Sequence, residues 1–125
     1  MLSTRSRVLL ADDYPEIVKA VSRLLALDCE IVGSVADGSA LLETAHRLRP
    51  DVLVLDVHLP NVRSLEACRE MTRLNPDLKV IVFTVLEDPN VGQAFLEAGA
   101  SAFVSKLASA ELLATIKRLC VTEVD

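Results

Sequence analysis

Short apolar runs alternate with amphipathic stretches five times along this chain. The runs cover residues 8–11, 30–35, 52–55, 80–83 and 102–104. The third of them, "VLVL", has no polar position, which is the pattern of a strand covered on both faces. Between the runs, apolar residues return at helical spacing. Ile17, Val18, Val21, Leu24 and Leu25 form the first stripe, and Leu41, Leu42, Ala45 and Leu48 the second. Leu65, Cys68, Met71 and Leu74 follow, then Val91, Ala94, Phe95 and Ala98, and finally Leu112, Leu113, Ile116, Leu119 and Cys120. Pro50 and Pro76 stand in near-duplicate phrases, "RLRPDVLVL" and "RLNPDLKVIV", each reading as a helix end, a proline stop and a strand start. Gly99 falls where the fourth helix needs a C-cap. Five strand–helix units in 125 residues predict one α/β domain over 1–125, with its core at about 7–120. Its sheet is parallel and doubly wound, with helices on both faces.

In such sheets, ligands lie beyond the carboxyl ends of the strands. Reading along that edge gives Asp12 and Asp13 after strand one, Asp56 after strand three, Thr84 after strand four and Lys106 after strand five. Strand two adds only "ADGS", a turn into helix two. Taken singly, Asp12 and Asp13 read as an N-cap and the others as turn residues. Gathered on one edge, three carboxylates repel one another, and one lysine does not offset them. A divalent cation with oxygen ligands does, and magnesium suits a site with few carboxylates and several waters; manganese is the alternative ion.

Composition narrows the choice. A net charge of −5, with no basic stripe, argues against direct nucleic-acid binding. There is no apolar h-region and no run long enough to span a membrane. Cys29, Cys68 and Cys120 are widely spaced in apolar contexts, and His46 and His58 make no ligand spacing with them. They read as reduced core thiols of a cytoplasmic protein. Flavin binding would need a hydroxyl- and glycine-rich loop where the chain has "DDYPE", and the dinucleotide fingerprint is absent. A magnesium-dependent phosphatase would need a further acid/base carboxylate and a substrate-selecting cap, for which the short loops leave no room.

The motifs "LLADDYP", "LVLDVHLP", "VIVFT" and "AFVSK", in this order, resemble the receiver domain of two-component response regulators. "ADDYP" and "EAGASAFVSK" look most like the NarL/FixJ type. The resemblance implies a flavodoxin-like sheet of order 2-1-3-4-5 and a signalling domain rather than an enzyme. Asp56 would take the phosphoryl group from a sensor histidine kinase or a phosphotransfer protein. Asp12, Asp13, Asp56 and the backbone carbonyl of His58 would form the magnesium site. Lys106 and Thr84 would contact the phosphoryl oxygens, and Thr84 with Phe103 would act as the switch. Phosphorylation would promote a homodimer through helix four, strand five and helix five, or the docking of an output domain on that surface. Output would be transcriptional where a helix-turn-helix domain follows; none is read in this chain, which stops at "VTEVD". The alternative is a degenerate receiver that acts as a phosphorylation-independent interaction module.

The chain departs from the family pattern in three places. "NVRSLE" lacks the glycine usual before helix three, so an altered loop is expected. Leu107 replaces the proline that often follows the lysine, leaving the isomer of that bond open. Val85 follows Thr84 where a small residue is usual. With Leu86 and His58 it shapes access to the phosphoryl site, which implies a long-lived phosphorylated state.

Overall fold

A computed structural model describes residues 5–85 and 88–120. The strands are β1 (Ser6–Ala11), β2 (Cys29–Val35), β3 (Val52–Leu55), β4 (Lys79–Thr84) and β5 (Ala102–Ser105). They alternate with α1 (Pro15–Leu25), α2 (Leu41–Leu48), α3 (Ser64–Leu74), α4 (Pro89–Glu97) and α5 (Ala110–Leu119). All strand pairs are parallel, and the order is β2-β1-β3-β4-β5, as the sequence reading implied.

The unbroken apolar runs at 8–11, 52–55 and 80–83 within the central strands have a simple cause. Successive side chains point to opposite faces, and both faces are covered. Leu9, Leu53, Leu55, Val80 and Val82 pack with Leu41, Cys68, Met71 and Phe95, under α2, α3 and α4. Val8, Leu10, Val52, Val54, Ile81 and Phe83 pack with Val21, Leu25, Leu112 and Ile116, under α1 and α5. Three members of the predicted stripes lie outside this core: Leu42 and Leu74 are exposed, and Ala94 is half-buried.

The helix ends follow their local chemistry. Arg49 ends α2 in the left-handed conformation just before Pro50, and Gly99 turns with φ 109° after α4. Neither Asp12 nor Asp13 is the N-cap of α1, the role that each suggests when taken singly. Tyr14 is the N-cap residue, followed by Pro15, while Asp12 accepts the Tyr14 amide at 2.9 Å from two positions back. The three cysteines carry free thiols, and burial pushes the Cys68 thiol up to about 11. Among the described residues, no helix is long and apolar enough to cross a membrane.

Candidate functional site

The order in which the chain adds strands reverses between β1 and β3, and the crevice above their carboxyl ends is where such sheets bind ligands. Backbone bonds fix the two residues that open it. The Asp12 amide donates to the Val35 carbonyl at 3.0 Å, and the Asp56 amide donates to the Ala11 carbonyl at 2.9 Å. Both aspartates therefore continue the ladder for one more residue, and both are buried. Asp13, next along the chain, faces outward and is exposed. Carboxylate oxygens of Asp12, Asp13 and Asp56 lie within 4.8 Å of one another. That all-oxygen donor set fits a hard divalent cation.

Lys106, at the end of β5, reaches across the edge to this cluster. Its Nζ is 2.6 Å from Asp12 Oδ2 and 3.7 Å from Asp56 Oδ1, and all three side chains are more than nine-tenths buried. The ammonium thus sits closer to Asp12 than to the end of the most apolar strand. Tyr14 and Phe83 flank it, their ring centroids 6.0 and 5.9 Å from Nζ. Burial raises the Asp56 carboxyl above the usual range; Lys106 opposes that shift, Asp12 adds to it, and the His58 backbone N–H, bonded to the carboxylate, opposes it.

Thr84 is buried at the end of β4, on the same edge. Phe103 of β5 is half-buried, and its ring carbons lie 3.5–3.7 Å from where a Cβ on Gly92 would stand. Val85 is 59 % exposed, beside Thr84. Leu86, the other expected access residue, lies outside the described residues. Every described peptide bond is trans, which answers the question of the Lys106–Leu107 bond.

The β3–α3 loop answers the expectation of an unusual turn. The left-handed residue there is Asn61, with φ 62°, while Arg63 at φ −91° is ordinary. A short polar side chain tolerates that region better than most. Ser64, inside "NVRSLE", turns out to be buried, and its hydroxyl donates to the Asp56 carbonyl at 3.0 Å. Sequence reasoning missed this contact. The only signal was a hydroxyl at the first position of a helix that follows an edge aspartate.

Comparison with known proteins agrees with this geometry. The pattern of the response regulator receiver domain matches residues 8–117. The chain is 37% identical over 108 residues to the response regulator GacA of Pseudomonas aeruginosa, covering 84% of this chain and 50% of that protein. It is 37% identical over 114 residues to the response regulator MprA of Mycobacterium leprae, covering 90% and 50%. It therefore spans about half the length of the curated relatives it matches. Among solved structures, a LuxR-family two-component response regulator from Aurantimonas sp. SI85-9A1 superposes with a TM-score of 0.86 at 27% identity, covering 93% of this chain and 85% of that one. The BeF3-activated DrrB receiver domain superposes with a TM-score of 0.83 at 31% identity, covering 93% and 97%. On its sequence, its strand order and its acidic edge, this chain belongs to the receiver domains of two-component response regulators.

Proposed function

We propose that the chain accepts a phosphoryl group on Asp56 from the phosphohistidine of a sensor kinase or phosphotransfer protein. The observation that carries this reading is the buried Asp56 carboxylate, held at the end of β3 with Lys106 Nζ at 3.7 Å and two further carboxylates beside it. A carboxylate oxygen of Asp56 attacks phosphorus, the P–O bond forms, and the P–N bond breaks with the electron pair leaving on the imidazole. The rigid strand end holds the nucleophile in place. Lys106 compensates charge on the phosphoryl oxygens, and the Thr84 hydroxyl donates to one of them. Asp12, Asp13, Asp56 and the His58 carbonyl would hold magnesium, which supplies charge neutralisation at the same oxygens.

Intact-mass measurement after incubation with acetyl phosphate tests this directly. Wild type should gain one phosphoryl group when magnesium is present and none when it is chelated, and Asp56→Asn should gain none. A wild type that stays unmodified with magnesium would overturn the reading and leave a phosphorylation-independent interaction module. Val85 is exposed beside Thr84, and its branched side chain would narrow the approach of water and of small phosphodonors. Val85→Ala is expected to speed both loading by acetyl phosphate and loss of the label. Unchanged rates would remove the steric argument.

We read α4, β5 and α5 as the surface that responds, with self-association as its output. Gly92 weakens α4, because glycine in a helix interior costs about 1 kcal/mol relative to alanine. A Cβ there would make ordinary contact with Phe103. Gly92→Ala should therefore raise stability by about that amount and reduce the association that beryllofluoride induces, as read by sedimentation. The names of two further relatives, the transcriptional regulatory protein DegU of Brevibacillus brevis and the probable transcriptional regulatory protein TcrX of Mycobacterium tuberculosis, support transcriptional control as the output of the whole protein.

A further inference from the structure

The loop between β3 and α3 is anchored from a neighbouring loop that sequence reading passed over as a plain turn. Asp37 precedes the 3-10 turn Gly38–Ala40, and its Oδ1 accepts the Ser39 amide at 2.7 Å. Its other oxygen, Oδ2, accepts from the side-chain amide of Asn61, the left-handed residue of the β3–α3 loop. The Gly38 amide donates to the Pro60 carbonyl at 2.7 Å. The two loops touch so closely that a Cβ on Gly38 would stand 2.1 Å from Val62 Cγ1. The same loop begins at Asp56, whose carboxylate accepts the His58 amide, and ends at Ser64, whose hydroxyl holds the Asp56 carbonyl. Residues 57–63 are thus fixed at both ends by Asp56 and in the middle by Asp37.

We propose that Asp37, acting through Asn61, is a positioning residue that sets the divalent-cation affinity of the Asp12, Asp13 and Asp56 cluster. This rests on the reading above, in which the His58 carbonyl completes the cation site. A backbone carbonyl is a good ligand only where the loop holds it, and a left-handed asparagine can relax if its side chain is released. The hydrogen bonds from Ser39 and Asn61 hold the Asp37 carboxyl below its usual range, so it is ionised and a strong acceptor at neutral pH. The two carboxylate oxygens divide the work: Oδ1 caps the turn, and Oδ2 holds the loop.

That division supplies the test. Asp37→Ser keeps an oxygen that can cap the turn but is too short to reach Asn61, and Asn61→Gly removes the partner while glycine adopts the left-handed backbone freely. Magnesium affinity is measured by calorimetric titration, and the unfolding temperature is measured in the absence of metal. Each variant should bind magnesium about two- to tenfold more weakly, the range one hydrogen bond is worth. The double variant should be no weaker than the weaker single one. For Asp37→Ser the metal-free unfolding temperature should stay near wild type. Unchanged affinity in both variants, beside a wild type that binds, would overturn the inference alone, and so would losses that multiply in the double variant. A wild type that binds no magnesium would overturn the cation site itself, and this inference with it.

Discussion

Asp56→Asn should unfold at a higher temperature than wild type at neutral pH, by several degrees, and lose that advantage in acid. Burial raises the Asp56 carboxyl above its ordinary value, with Asp12 and Asp13 pushing the same way. The folded state therefore holds a proton on this group more readily than the unfolded chain does. Stability contributed by Asp56 is greatest below its unfolded value and falls as pH rises through the folded one. At neutral pH the fold disfavours the charged form of this carboxyl, and the asparagine amide of similar shape carries no charge. Below the ordinary aspartate range the carboxyl is protonated in both states, so the two proteins should converge. Thermal unfolding without metal, measured from pH 3 to pH 8, reads the effect as the gap between two curves. A gap that is absent at neutral pH, or that widens in acid, would contradict the assigned cause.

Lys106→Met carries the larger cost. The ammonium is buried and pairs with two buried carboxylates, Asp12 at 2.6 Å and Asp56 at 3.7 Å. Methionine fills much of the same space and removes the charge, leaving a buried anionic cluster without its cation. Breaking a buried pair by deleting one partner costs about 3–5 kcal/mol, and the exposure of Asp13 at the rim places this site toward the lower end. Two features distinguish the cause from a packing defect. The deficit should shrink as pH falls, because Asp56, already raised and now without its strongest opposing charge, takes up a proton in the folded state. It should also shrink on adding magnesium, which should raise the unfolding temperature of the variant more than that of wild type. Adding Asp56→Asn to Lys106→Met should recover part of the loss. Equal responses to magnesium in the two proteins would show that Lys106 does not compensate the carboxylates electrostatically.

Much of this site was legible along the chain because its residues come from the ends of apolar strands. "VLVL" can only be a doubly covered strand in a domain of this size, and the residue after it must emerge at an edge. The same reasoning applies to Asp12 and Asp13 after "RVLLA" and to Lys106 after "AFVS". That these edges coincide follows from the parallel sheet, since every strand then ends on the same side. The strand order came from the resemblance, because periodicity does not say which strands are neighbours.

What the sequence determined by itself was the set of groups at that edge: three carboxylates, a hydroxyl and an ammonium, each bound to a particular strand end by hydrophobic pattern. What only the tertiary structure decided was how they pair. Lys106 lies nearer Asp12 than Asp56, with the rings of Tyr14 and Phe83 near its ammonium. Ser64 and Asp37 were unreadable for the same reason. A hydroxyl that bonds a backbone carbonyl eight residues away, or a carboxylate that bonds an amide from another loop, leaves no periodic trace. Hydrophobic burial acts on every residue of an element and writes a repeat into the sequence, whereas a directional bond between two loops depends on one distance that exists only after the sheet has formed.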